Sequence, residues 1–535
     1  MGHTMKQLLG LVVLWSSTVV GSLNSTQNAT TTACLQLNSS LNNVTLVPSE
    51  SQYLPSSQDN WSETCWKTPT CIVQPLNNAE IQNAVQVLTE HNVKFAIRSG
   101  GHSPSPFAAN IDDGVLIDLS KFNQAIYDAP NSLVKVGAGM RWGEVHQVLD
   151  PHNVTVVGGR VLNVGVGGLV LGSGLSYLSD LYGLVCDNVV NFEVRLVAGA
   201  RCAFCNIHQI VLANASITNA NATSNQDLFR ALKGGANNFG MSIAPFKPQV
   251  VRPRLTKASL GIVVSFTLST YPIFQVWGGI KTYSLEQLPA LFASMYQYQS
   301  NPNKDPYANL MFQAFTTNET VGGVLNMVYL KPEVSPPAFA PFYSIPTTGD
   351  TTKLQTLTQM MGGQRVPPLT RWDWFATSFK PNPSLYSKIA SIMVSAPELA
   401  DIQAVQGGSL ALGLQPISAS VVHAGAARGG GNSLGLQAVN QTWFALDVGW
   451  LDAGKDQQIR TATGAIRERI ASAAKEEGEQ VEYLFMNDAN TEQDVIAHYG
   501  AESVGRLREV QRRYDPDFVF EKLVSGGWKL PGVNE

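Results

Sequence analysis

Apolar and polar positions alternate along this chain with two different periods, and the changes of period divide it into regions. In PLNNAEIQNAVQVLTEHNVKFAIRSGG, residues 75–101, Ile81, Ala84, Val85 and Leu88 fall on one helical face. Asn92 can end that helix, and the apolar run up to Ile97 reads as a short buried strand. GVLIDLSKFNQAIYD (114–128) follows as strand and turn, then SLVKVGAGMRWGEVHQVLD (132–150) as strand, glycine turn and helix. This mixed pattern runs to about Tyr271. From about 273 to 475 the helical patterns lengthen, as in LEQLPALFASMYQYQ and GAIRERIASAAKEE. Strand-like runs (NLMFQAFTT, GGVLNMVYL, TWFALDVGWL) lie between them, separated by proline-rich turns. The tail, QDVIAHYGAESVGRLREVQRRYDPDFVF, reads as a helix and a closing turn. The predicted class is α+β, with a second domain built as a sheet backed by helices.

The N-terminus changes the picture of where the protein works. Lys6 precedes an apolar run, Leu8 to Val20, with Gly21 and Ser22 behind it, so residues 1–22 are predicted to be a secretory signal peptide. The run is short for a membrane span and no later stretch is longer, so a secreted protein without membrane attachment is expected. Asn-x-Ser/Thr triplets at Asn24, Asn28, Asn38, Asn43, Asn60, Asn153, Asn214, Asn221, Asn318 and Asn440 agree with export. Five of them precede residue 61, which predicts a flexible, sugar-bearing arm over 23–66. An oxidising compartment also predicts a disulfide among Cys34, Cys65 and Cys71, without saying which pair forms. Cys202 and Cys205 form a C-x-x-C with no second pair at ligand spacing, so no metal site is expected. With 36 basic against 40 acidic side chains, the charge gives no case for a nucleic-acid partner.

Glycine spacing brings in candidate chemistry. RSGGHS (98–103) puts a histidine directly behind two glycines at a strand end. In VGGRVLNVGVGGLVLGSGLSYLSDLYGLVCDNVVNFEV (157–194) glycine recurs at 158, 159, 165, 167, 168, 172, 174 and 183. Such density either punctuates tight turns or lets backbone N–H groups approach an anionic ligand. The dinucleotide fingerprint G-x-G-x-x-G fails because Val170 stands at its third glycine, and no Walker lysine is present.

Four ordered stretches, RSGGHS, VGVGGLVLGSG (164–174), YGLVCDNV (182–189) and YDPDFVFEKLVSGGWKL (514–530), resemble the berberine-bridge-enzyme-like FAD-linked oxidases of the vanillyl-alcohol-oxidase superfamily. Among these the chain is most similar to fungal secreted oxidases, including those of secondary-metabolite clusters. The resemblance runs from about Pro69 to Leu530. It implies a PCMH-type FAD domain over 67–272, a substrate domain with an antiparallel sheet over 273–480, and a segment 481–535 that returns to the FAD domain. It also implies FAD held by Arg98, Ser99, Gly100, Gly101, His102, Ser103, Val164, Gly165, Gly167, Gly168, Gly172, Asp187, Asn188 and Asn487. His102 takes the place of the family's covalent attachment to the flavin 8α-methyl carbon. Val161 stands where some members carry a second, cysteine tether, so a single link is expected.

The chain departs from the family pattern at 195–210 and 241–261, where smooth continuations are interrupted. Surface loops and translated introns compete as explanations; we favour the second, which a transcript containing both segments would refute. The implied reaction passes a hydride from a small organic substrate to the flavin, a base takes a proton, and O2 reoxidises the cofactor. Candidates for the base and substrate contacts are Gln415, His423, Asp373 and Tyr483, each of which also has a purely structural reading. The expected product is a monomeric, N-glycosylated enzyme acting on an alcohol, C–N or ring position, with a carbohydrate oxidase or a flavin-free glycoprotein as alternatives. GNSLG (431–435) matches a hydrolase elbow, but no strand pattern precedes it.

Overall fold

Residues 27–198, 217–239, 259–363 and 366–532 are described here, from a computed structural model. The segment 1–22 expected to be a signal peptide, the Cys202/Cys205 pair and most of the two interruptions lie outside these residues.

Three sheets carry the architecture. The first contains β1 (Thr45–Leu46), β2 (Cys71–Val73), β3 (Phe95–Arg98) and β4 (Val115–Asp118), in the order β1-β2-β4-β3. β2 and β3 run parallel to β4. Covered on both faces, such strands read as unbroken apolar runs, as CIV and VLID do. The connecting helix Asn78–Glu90 starts where the Asn77 side chain accepts hydrogen bonds from the N–H groups of Ala79 and Glu80. It buries Ile81, Ala84, Val85, Val87 and Leu88. The second sheet contains β5 (Ala125–Asp128), β6 (Leu133–Gly137), β7 (Thr155–Val156), β8 (Val189–Ala198), β9 (Ile217–Asn221) and β10 (Ser259–Tyr271). Its order is β5-β6-β10-β8-β9, with β7 beside β10.

The third sheet contains β11 (Gln275–Ser284), β12 (Ala308–Thr317), β13 (Val321–Tyr329), β14 (Gly349–Asp350), β15 (Lys353–Thr356), β16 (Arg371–Phe379), β17 (Ser409–Ile417) and β18 (Gln441–Trp450). It is antiparallel, ordered β14-β11-β13-β12-β17-β18-β16, with β15 beside β11. One face packs on the helices Leu288–Ser300, Pro383–Ser395, Glu398–Gln403 and Asp456–Glu476 through Phe312, Leu412, Leu414, Phe444, Leu446 and Val448. The opposite parity is thereby turned toward the first domain.

Residues after Val481 belong to the first domain's core. Phe95 N–H donates to Leu523 and Ser525 N–H donates to Phe95, so the C-terminal segment docks beside β3. The stretch expected to be a flexible arm is instead packed into this domain. A helix covers 27–40, and a disulfide joins Cys34 to Cys71, leaving Cys65 free and buried. Asn60 is buried and accepts from Arg98 and Asn110, so the triplet there is closed to glycosylation. The GNSLG stretch is irregular, and Ser433 is buried, donating to the Arg230 carbonyl; the hydrolase elbow is absent.

His146, in the helix Trp142–Leu149, is buried with neither ring nitrogen hydrogen-bonded among the described residues. Burial lowers its pKa from 6.5 to about 4. The unfolded chain therefore takes up a proton that the folded one refuses, and stability falls as the pH drops from 6.5 toward 4. The integrated loss is about 3 kcal/mol. His146→Leu is expected to flatten this acid slope in pH-dependent thermal unfolding, while stability at pH 7 holds or rises because no hydrogen bond is lost.

Candidate active site

A cavity of about 680 Å3 lies between the glycine loops and the free face of the third sheet. That is within the usual range for a cofactor or substrate site. Its floor is built by two backbone turns in contact. A Cβ placed on Gly100 would lie 2.4 Å from the Gly165 Cα, and one on Gly165 would lie 2.5 Å from the Gly100 Cα. Gly101 adopts φ +61°, which admits glycine most easily. Ser99 binds the turns together, its hydroxyl donating to the Ala138 carbonyl at 2.6 Å and accepting from Gly167 N–H at 3.1 Å. Asn487, on the returning segment, closes the floor by accepting from Gly174 N–H at 3.0 Å.

His102 borders this floor with its ring against Trp61, centroids 4.4 Å apart and planes 8° from parallel. Its Nδ1 is buried without a hydrogen-bond partner among the described residues. Burial, and then the positive charge of Arg141, lower its pKa from 6.5 to about 4, so the imidazole is neutral near pH 7.

The roof is the sheet read across its strands. Phe315 pairs with Ala411, Ala411 with Asp447, and Asp447 with Trp374, and all four line the cavity. A neighbouring row runs Ile280, Asn326, Met311. Asn326 is 4% exposed, and its Oδ1 has no partner among the described residues. Polar character is concentrated where the roof meets the returning segment. Arg160 donates to the Gln415 side-chain oxygen, and Gln415 Nε2 donates to Asp488 at 2.6 Å. The Asp447 carboxyl makes no hydrogen bond to a described residue; burial, and then the negative Asp488, raise its pKa to about 7 against the pull of Arg160. Burial raises Asp488 as well.

Of the residues singled out from sequence, Ser99, Gly100, Gly101, His102, Ser103, Val164, Gly165, Gly167, Gly168, Gly172, Asn487 and Gln415 line the cavity. Six do not. Arg98 is consumed by an ion pair with Asp118 at 2.9 Å and by Asn60 and Ser56. Asp187 accepts from Leu184 N–H and Asn432, and Asn188 accepts from the Tyr271 hydroxyl; both brace a buried turn. Asp373 has the opposite strand parity to Trp372 and Trp374, so it points away, pairing with Arg460 at 3.1 Å and accepting from Asn490. His423 is exposed on the helix Ala419–Ala426. Tyr483 is buried behind the wall, against Trp443 and Tyr499.

Sequence reading missed Trp61, Arg160, Asn326, Asp447 and Asp488. Strand parity held the signal for Asp447: in TWFALDVGWL it shares the parity of Ala445, while Phe444, Leu446 and Val448 form the apolar face.

A glycine-floored cavity that continues into a largely apolar wall bearing the Asp447 and Asp488 carboxyls is the layout of an enzyme holding a large cofactor against a small substrate. The family model described as FAD binding domain matches residues 69–203. The chain is 33% identical over 489 residues to an FAD-dependent monooxygenase of Arthrobotrys oligospora, covering 90% of this chain and 86% of that one. It is 32% identical over 506 residues to the bifunctional solanapyrone synthase of Alternaria solani, covering 93% and 89%. A variant of berberine bridge enzyme in complex with (S)-reticuline shares the fold, with a TM-score of 0.66, 14% identity and 94% and 99% coverage. The chain belongs to the family of FAD-linked oxidoreductases that these curated relatives represent, and it shares its fold with berberine bridge enzyme. It is an FAD-dependent oxidoreductase with the α+β fold of that family.

The site's own features fit FAD. The cavity has room, a Cβ on Gly168 would meet nothing within 4 Å, and the His102 ring borders the cavity. The turns at 99–103 and 164–172, with Asn487, would hold the cofactor.

Proposed function

We propose that this enzyme oxidises a small, largely apolar organic molecule at a hydroxyl, C–N or ring position, with FAD tethered through His102 alone and Asp447 as proton acceptor. The single observation that carries this reading is Asp447 itself, one unbonded carboxyl in an apolar roof facing the glycine floor. When bound, FAD supplies a two-electron acceptor that can pass its electrons to O2. Asp447, with a pKa of about 7, is poised to take a proton near neutral pH. Arg160, Gln415 and Asp488 form a hydrogen-bonded chain beside it that fixes the local charge. Asn326 lines the cavity as a polar side chain able to meet a hydroxyl of the substrate. Its neighbours Ile280, Met311, Phe315 and Val324 give the roof an apolar patch beside the polar Gln313, Thr317 and Ser409, and that patch favours a small, largely apolar metabolite over an oligosaccharide.

Neutral His102 has the protonation state a nucleophile requires. Val161 lines the cavity without a thiol, consistent with a single link. The Cys34–Cys71 disulfide and the exposed triplets at Asn28, Asn43, Asn153, Asn318 and Asn440 support a secreted, glycosylated protein. Among the described residues no helix is long and apolar enough to cross a membrane.

The test is mass spectrometry of the His102 peptide from freshly purified protein, paired with a panel of alcohols and amines read by peroxide release. The peptide is expected to carry the mass of FAD, and His102→Ala to yield no acid-stable flavin. A peptide of unmodified mass from yellow protein would overturn the tether and leave the oxidoreductase standing.

A further inference from the structure

We infer that Trp61 is a positioning residue for the tether, holding the His102 imidazole in the orientation that bond formation needs; this rests on the reading of His102 as the attachment point. A histidine's ring is usually oriented by a hydrogen bond from the nitrogen that does not react. His102 Nδ1 has no such bond among the described residues. What fixes the ring is a face: the Trp61 indole lies parallel to it at 4.4 Å.

Trp61 is itself held from three sides. Its backbone N–H donates to the Gly101 carbonyl at 2.9 Å, which locks the two segments together one residue before His102. Its ring stacks on Trp372 at 5.1 Å and leans on Trp374 at 5.8 Å, both from β16 of the other domain. The residues around it are pinned as well. Asn60 accepts from Arg98 at 3.1 Å, Ser62 Oγ accepts from Trp372 N–H at 2.9 Å, and Glu63 N–H donates to Thr370 at 2.8 Å. Residues 60–63 thus form a strap between the histidine loop and the substrate sheet, with Trp61 wedged at its centre.

Tether formation breaks the imidazole N–H and one C–H of the ring methyl group and joins nitrogen to carbon. Two electrons and two protons remain on the ring system, and O2 removes them as hydrogen peroxide. The bond forms only if the imidazole nitrogen stays aimed at that carbon. A ring free to rotate would spend most of its time misdirected, so losing the stacking face slows tethering more than it weakens FAD binding.

The experiment measures, on purified holoenzyme, total FAD and the fraction that survives acid precipitation. Wild type is expected to be almost wholly tethered. Trp61→Ala is expected to bind FAD with the tethered fraction reduced at least tenfold, and Trp61→Phe, which keeps an aromatic face, to recover most of it. Trp61→Leu fills similar space without that face and is expected to behave like the alanine variant. Equal tethered fractions in the Phe and Leu variants would overturn the inference, whether or not the alanine variant folds. Acid-stable flavin persisting in His102→Ala, or absent from wild type, would instead overturn the His102 reading.

Discussion

Asp447→Asn is expected to lower kcat/KM by roughly two to four orders of magnitude while FAD content and the unfolding temperature stay at wild-type values. The magnitude is that of a positioned proton acceptor removed from a reaction whose substrate proton is weakly acidic. Stability is spared because asparagine keeps the shape and the carboxyl makes no hydrogen bond to a described residue that would be broken. The pH profile sharpens the test. Asp447 must be ionised to work, so kcat/KM should rise with pH through the region near its pKa of about 7. Asp488 penalises that ionisation, and Asp488→Asn is expected to move the rising limb toward acid. Arg160 favours it, and Arg160→Gln is expected to move the limb toward alkali. The two carboxyls titrate as a coupled pair, so the limb reports the pair rather than one group. Wild-type kcat/KM in Asp447→Asn would remove this residue from the chemistry.

The floor of this site was far more legible in sequence than its roof, for a physical reason. The floor is made of consecutive residues in two turns, where close backbone approach demands glycine, and a run such as RSGGHS announces that demand locally. The roof is assembled across strands: Phe315, Ala411, Asp447 and Trp374 are neighbours only because β12, β17, β18 and β16 pair in one register. Strand periodicity reveals which parity is apolar, yet no local signal says which strands will be adjacent. Asp373 does not reach the cavity for the complementary reason: it stands between Trp372 and Trp374, and neighbours in a strand face opposite ways. Arg98 is turned away from the cavity by partners, Ser56, Asn60 and Asp118, that come from segments remote in sequence. The 23–66 stretch, polar and rich in glycosylation triplets, read as an arm, although it holds Trp61 and the cysteine that closes the disulfide.

Gly165→Ala and Gly168→Ala should separate what the floor does for the fold from what it does for the cofactor. The two glycines stand three residues apart and both border the cavity, but a methyl group meets different things at each. At 165 it would sit 2.5 Å from the Gly100 Cα and nitrogen, atoms of a backbone with no side chain to swing aside. The two turns must part, so Gly165→Ala is expected to lower the unfolding temperature by roughly 5 °C and to purify with at least tenfold less FAD. At 168 the methyl meets no protein atom within 4 Å. Gly168 is exposed to the cavity, and backbone N–H groups there can approach phosphate only while no side chain intervenes. Made in the untethered His102→Ala background, Gly168→Ala is therefore expected to keep that background's FAD-free unfolding temperature and still lose FAD. Measuring unfolding before and after adding FAD reads both effects on one sample. Full FAD content in Gly168→Ala would show that the cofactor's phosphates lie elsewhere in the cavity, and the assignment of the 164–172 turn would fall with it.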